Sequence, residues 1–436
     1  MIQRRSEQII SVTKKWIVRA GLGGVAYCHL AFVSGVLAQE VLAPRPIIPT
    51  TPPAVEDIQT NSAGFIDFGN AVPDTGIDAH PFQVGPLDIH PHLFYRFLYA
   101  TGVESGPGLA QDTITQDVSP GVLVNIGKNW TLDYTPTWTT YSEIHSATNA
   151  PALHDTVDHA VILNGGAVYG DWVLGFGQTY SRSDTPLIET GGQTVQESFA
   201  TTLTGSYRFN TVMSMDLSAE QDFMYTDKLT NTREWSSLDW FNYQFWPRLD
   251  GSLGIGGGYD SVSMGFDSTF EQYQARVNWR ATDVTSFQVH GGVEDRQFLG
   301  SSAGNLINPI FGGEIKYKPF EVTAIVVDAN RAVSMSAFED QVLEDTGVTA
   351  TLNQRLLKKL FFTLSGGYHW DAYVSTSSAT GASRRDQYYS INAELTCVFL
   401  KRGTIAVTYL HGGDWSSLPG YGYSTNQYGF QLGYHF

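Results

Sequence analysis

The chain is poor in cysteine, in charge and in long apolar runs. Its 436 residues hold two cysteines, Cys28 and Cys397. Cys28 falls in a stretch that reads as a removable leader, which leaves Cys397 alone. A lone thiol excludes an intramolecular disulfide framework and a thiolate metal cluster. Charged residues make up 16% of the chain, against about a quarter in ordinary soluble proteins. Mean hydropathy is nevertheless −0.15, which argues against a bundle of membrane-spanning helices. Positive charge is the scarcer sign: 26 Lys and Arg face 43 Asp and Glu, for a net charge of −17. Removing a leader with a surplus of basic residues makes the remainder more acidic still. Nucleic-acid binding, which draws its affinity from Lys and Arg on phosphates, is therefore excluded as a partner class. The field of such a chain attracts cations rather than anions.

Catalytic and cofactor signatures are also missing. No Gly-x-Ser-x-Gly elbow occurs. The run Gly254, Gly256, Gly257 and Gly258 has no strand-to-helix context and does not read as a phosphate loop. His90 and His92 share a strand face, but no third ligand follows at a diagnostic interval, so no metal or other cofactor is assigned. The expectation is a non-enzyme.

Abundant instead are aromatics, 13% of the chain with 22 Tyr, 24 Phe and 10 Trp, and 44 glycines. Three regions differ in kind. Residues 1–38 read as a secretory signal peptide: Arg4, Arg5, Lys14, Lys15 and Arg19, then an apolar stretch, then Val36-Leu37-Ala38 before cleavage at Gln39. Tyr27 before Cys28 speaks against a lipoprotein. Residues 39–87 carry Pro44, Pro46, Pro49, Pro52, Pro53, Pro73, Pro81 and Pro86, and read as an extended periplasmic segment. It is either a linker or a segment that folds back to occlude a pore.

From residue 88 to 436 apolar and polar residues alternate in stretches separated by turn residues. Trp130, Leu132, Tyr134, Pro136 and Trp138 oppose Thr131, Asp133, Thr135, Thr137 and Thr139. Tyr273, Ala275, Val277 and Trp279 oppose Gln272, Gln274, Arg276 and Asn278. A period of two is the mark of a strand with unlike faces. The pattern predicts about eighteen strands (sixteen to eighteen) of about ten residues, joined alternately by tight turns and longer loops. Val322, Ala324 and Val326 are expected on the apolar face. One stretch resists: the parity that puts Phe241, Tyr243 and Phe245 on the apolar face also puts Asp239 there, which implies a bulge or another register.

The last strand carries a resemblance. Tyr428, Phe430, Leu432, Tyr434 and Phe436 alternate with Gln427, Gly429, Gln431, Gly433 and His435, and the chain ends on Phe436. This resembles the closing strand of bacterial outer-membrane β-barrels, and the whole of 88–436 is similar to porins, especially the loosely defined β-barrel porin families. The resemblance implies an all-β fold, a closed antiparallel transmembrane β-barrel in the outer membrane of a double-membraned bacterium. It implies passive diffusion of small hydrophilic solutes, lipid and lipopolysaccharide as surroundings, the barrel assembly machinery as reader of the terminal strand and, by analogy, a homotrimer. The expected pore-lining side chains are Arg96, Asp133, Arg208, Asp216, Glu220, Arg276, Arg280, Glu294, Glu314, Lys316, Arg355, Asp371 and Glu394. Two alternatives stay open. One is a structural or export-associated barrel plugged by 39–87. The other is an outer-membrane lipid hydrolase built on the outward His159.

Overall fold

The computed structural model describes residues 82–436 apart from 147, 185, 188–191, 303, 337, 378–383 and 400–401. The signal-peptide and proline-rich assignments lie outside the described residues.

Strands dominate the described chain because its apolar residues recur every second position and are largely aromatic or β-branched, a surface that suits a pleat. The wall consists of β1 Leu87–Gly106, β2 Leu109–Ile126, β3 Trp130–Ser146, β4 Thr156–Tyr169, β5 Trp172–Ser183 and β6 Gln196–Arg208. It continues with β7 Met213–Thr226, β8 Thr232–Trp246, β9 Leu249–Val262, β10 Ser268–Trp279, β11 Thr285–Phe298 and β12 Leu306–Phe320. It ends with β13 Thr323–Met335, β14 Gln341–Leu357, β15 Leu360–Ser375, β16 Arg385–Phe399, β17 Gly403–Ser416 and β18 Tyr423–His435. Each strand pairs antiparallel with the next, and β18 returns to β1 from His92↔His435 to Thr101↔Asn426. The result is a closed barrel of 18 strands with one short extra strand, Gln83–Val84, on β1. The Phe436 N–H donates to the Pro91 carbonyl at 3.0 Å, so the closing seam runs to the last residue. Closure removes both sheet edges, and in hydrocarbon an open edge would strand a row of unpaired peptide groups.

The strands are longer than their alternation suggests, from 12 to 20 residues. The largest difference is at the start. The regular alternation of β1 stops at Tyr99, whereas β1 and β2 continue upward and meet at Pro107-Gly108. Gly108 has φ +71°, the sign that the second turn position after Pro requires. At the other end, Gly170 (φ +60°) opens the two-residue turn between β4 and β5, as a tight hairpin needs.

Alternation sorts the side chains inside-out relative to a soluble protein. On β10, Val277 and Trp279 are each 49% exposed, whereas Arg276 is 6% and Gln272 8% exposed. Leu253 on β9 is 69% exposed while Arg296 on β11 is 1%. A soluble sandwich would bury the first kind and expose the second. A barrel immersed in lipid does the reverse. The outer face is bounded by two aromatic bands. On the short-turn side Trp172 packs on Tyr207 at 4.9 Å, Tyr207 on Phe209 at 5.0 Å and Trp279 on Phe287 at 5.5 Å. Toward the long loops Tyr180 meets Phe199 at 4.8 Å, Phe223 meets Trp235 at 5.0 Å, and Tyr389 meets Trp415 at 4.7 Å. From Trp172 to Tyr180 along β5 the tilted strand rises about 20 Å, close to the apolar band of such barrels. Amphipathic rings at both borders are an interfacial girdle.

Two registers correct the sequence reading. On β13 the outward residues are Ile325 and Val327, not Val322, Ala324 and Val326. Val327 pairs with the outward Ile315, and Ala324 is buried on the inner side. The run Ala324-Ile325-Val326-Val327 is apolar at every position, so only pairing fixes its parity. On β8 the parity is continuous through Asp239, which does face outward, and the register shift lies at Gln244/Trp246 instead.

Candidate functional site: the barrel lumen

The inward positions form rungs that run across the strands, because residues paired across neighbouring strands share a face. Near the short-turn end, His92 Nε2 lies 3.0 Å from Thr135 Oγ1, and the Thr135 hydroxyl donates to Asp133 Oδ1 at 3.0 Å. His90 contacts Asp88 at 3.2 Å. Among the described residues no group of three His, Cys, Asp or Glu is arranged to hold a metal ion. Above this layer Arg96 sits opposite Asp117, and its Nε–H donates to Asp117 Oδ2 at 2.6 Å.

On the wall of β6 to β10, Asp216 anchors a hydrogen-bonded patch. Its carboxylate accepts the Ser206 hydroxyl and the Asn242 amide, both at 2.7 Å. Arg276 donates to Asn242 Oδ1 at 3.0 Å, lies 3.8 Å from Asp216, and stacks over Trp240 at 4.3 Å. These contacts hold the guanidinium flat on the wall.

Higher up, two rungs are acidic across three strands each. Asp222 pairs with Glu234, and Glu234 with Asp260, across β7, β8 and β9. Asp345 pairs with Asp371, and Asp371 with Asp386, across β14, β15 and β16. Like charges set directly opposite one another are unfavourable, so each rung needs compensation. Arg296 supplies it for the first. It bonds Asp260, donates from Nε to Glu294 Oε1 at 2.8 Å, and lies 4.6 Å from the centre of the Phe270 ring. Gln272 adds an N–H to Glu294 Oε2 at 2.8 Å. For the second rung, Arg384 Nε contacts Asp386 at 2.6 Å, and His369 lies 3.1 Å from Asp345. Arg384 is also caged by Tyr421 at 4.2 Å and Tyr373 at 4.9 Å, which ties the loops of that sector to the rim.

Of the expected lining residues, Arg96, Asp133, Arg208, Asp216, Glu220, Arg276, Glu294, Glu314, Lys316, Arg355, Asp371 and Glu394 all occupy inward positions. Arg280 does not: it lies past the end of β10 in the turn and is exposed. The alternation missed Glu234, Asp260, Arg296, Asp345 and Asp386. They lie where the strands run past their apolar stretch, and extending each strand's parity by a few residues would have found them. Among the described residues, inward carboxylates outnumber inward cations, and several cations are tied to carboxylates on the wall: Arg96, Arg276, Arg296, Lys316 and Arg384.

His159 does face outward. Its ring stacks on Tyr134 with an interplanar angle of 7°, and Nδ1 lies 3.2 Å from the Tyr134 hydroxyl. Its hydrogen-bonding neighbour is thus a phenol of the outer aromatic surface rather than a serine.

The terminal residues Tyr428, Phe430, Leu432, Tyr434 and Phe436 are all outward and 37–50% exposed. The architecture is that of an outer-membrane β-barrel. In sequence, neither a family profile nor a curated protein matches the chain. Among solved structures it is similar to Pseudomonas aeruginosa OpdL, at 12% identity, covering 80% of this chain and 99% of that one with a TM-score of 0.41. The outer membrane protein opdK of Pseudomonas aeruginosa matches at 11% identity over 80% and 98%, TM-score 0.42. OccK2 (OpdF) of the same organism matches at 10% identity over 80% and 98%, TM-score 0.43. The strand count and closure follow from this chain's own registers.

Proposed function

We propose that the protein is a porin-like channel of the outer membrane of a double-membraned bacterium, passing small hydrophilic solutes by passive diffusion with a preference for cations. The observation that supports this reading is the pair of acidic rungs, Asp222–Glu234–Asp260 and Asp345–Asp371–Asp386, on the inner face of a closed barrel. Eighteen strands enclose a lumen too wide for side chains to fill, so its charge acts on solutes and water. Low-dielectric walls lined by one sign of charge concentrate the opposite ion. In the same reading the outer belt sits in lipid and lipopolysaccharide, and the strand ending at Phe436 is what the barrel assembly machinery engages.

The test is the reversal potential across a planar bilayer under a KCl gradient. Wild-type protein should favour potassium over chloride. The triple variant Glu220→Gln, Asp222→Asn and Glu234→Gln should lower that ratio roughly twofold or more, while leaving the barrel folded. An unchanged ratio would remove the Asp222–Glu234–Asp260 rung as a source of selectivity.

A further inference from the structure

The glycine run of β9 falls on the pore side of the wall. Between Asp250 and Asp260 the inward positions of that strand are Ser252, Gly254, Gly256 and Gly258. Its outward Leu253 and Ile255 are bulky and exposed, so β9 is thick toward lipid and thin toward the lumen. Large side chains stand directly opposite the glycines. Registers set Gly254 against Trp240, Gly256 against Leu238 and Gly258 against Phe270. Strand number fixes the diameter of the backbone, and the thickness of the inward side chains fixes how much of it stays open.

These side chains lie across β9 instead of standing into the lumen. A Cβ at Gly254 would come within 2.8–3.0 Å of three atoms of the Trp240 six-membered ring, whereas carbon atoms pack at about 3.5–4.0 Å. At Gly256 it would meet Leu238 Cδ1 at 2.9 Å, and at Gly258 the edge of the Phe270 ring. Trp240, Leu238 and Phe270 are all buried. A guanidinium covers each ring, Arg276 over Trp240 and Arg296 over Phe270. Asn242 and Asp216 tie down the first, Asp260 and Glu294 the second. The same seating recurs at the closing seam, where a Cβ at Gly433 would lie 2.7 Å from the ring of Phe94.

Resting on the channel reading above, we infer that Gly254 sets the bore of the channel, by seating Trp240, and with it the Arg276 guanidinium, flat on the wall. Any side chain at 254 takes the seat. The ring then turns toward the axis, and Arg276 loses the surface on which it stacks. Gly254 adjoins Leu253 midway along β9, so the ring and the released cation enter the lumen at mid-height. The ring narrows the path for every solute, and the cation opposes other cations. Gly256 and Gly258 seat their partners in the same way, but a Cβ there would also strike the backbone oxygens of Ser237 and Trp235. Only at Gly254 are the three nearest atoms all side-chain atoms of the seated residue, which makes it the position to test.

The test compares wild type, Gly254→Ala, Trp240→Ala, the double variant, and Gly291→Ala in planar bilayers. Gly291 faces lipid on β11, and the nearest atom to a Cβ there is 3.7 Å away. Gly254→Ala should lower unit conductance roughly 1.5-fold or more, and shift the largest polyethylene glycol that enters to a smaller size. Gly291→Ala should change neither. With Trp240 removed, position 254 becomes indifferent: the double variant should fold and conduct as Trp240→Ala does. Gly254→Ala that conducts as wild type would overturn the assignment. So would a double variant that conducts less than Trp240→Ala or does not fold, and this comparison decides even where Gly254→Ala alone fails to fold. Wild-type protein that inserts but carries no current would refute the channel reading instead. The midpoint of heat-modifiable unfolding then reads the seat separately, lowered by Gly254→Ala only while Trp240 is present.

Discussion

Leu253→Arg is expected to lower the unfolding free energy in lipid by about 2–4 kcal/mol, the cost of a basic side chain near the midplane of a lipid face. Leu253 is 69% exposed and lies about midway along β9 between Leu249 and the band residue Tyr259. In a soluble protein an exposed Leu-to-Arg change would fall within about 0.5 kcal/mol. The two architectures therefore predict opposite results for one substitution. Urea titration of the protein in phospholipid vesicles, followed by tryptophan fluorescence, checks it. Val277→Arg, one outward step from the lower-band Trp279 on the neighbouring β10 and 49% exposed, should cost less if the depth assignment is right. Equal and negligible effects at both positions would contradict a lipid-facing belt.

Arg296→Met is expected to cost about 3–5 kcal/mol, because it removes one partner of a buried ion network and leaves the others uncompensated. The side chain is 1% exposed, bonds Asp260 and Glu294, and accepts no substitute cation from its own rung, where Asp260 faces Glu234. Methionine keeps the contact with Phe270, so the loss reports charge rather than volume. Adding Asp260→Asn should recover part of it, with a coupling of about 0.5–3 kcal/mol in a double-mutant cycle. The same vesicle-based titration reads both variants. Additive effects, or a single-variant loss under about 0.5 kcal/mol, would show that Arg296 does not neutralise the acidic rung.

Much of this was legible in the sequence because a β-barrel writes its two solvents into alternate positions. Trp130 through Trp138 on β3 and Tyr273 through Trp279 on β10 each show one face for lipid and one for water, and the structure keeps those faces. The terminal strand was legible for the same reason, and its seam with β1 follows from closure. Three kinds of residue escaped. On β13 four apolar residues in succession carry no parity, and the neighbour Ile315 decides which of them meets lipid. Above the belt both faces of β1 and β2 meet polar surroundings, so the hairpin to Pro107-Gly108 lacks the alternation that marks a strand. The ion network escaped because its members are far apart in sequence: Glu234, Asp260 and Arg296 meet only through registers on successive strands. Asp239 was visible as an exception to the pattern, and pairing with the outward Ile255 shows that it is a polar residue on the lipid side rather than a slip of register.

Single-channel recording of the folded protein in planar bilayers tests the central claim most directly. Stepwise conductance carried preferentially by cations is the predicted result. Protein that is shown to insert, by heat-modifiable migration and protection of the belt from aqueous quenchers, yet conducts no ions would contradict it.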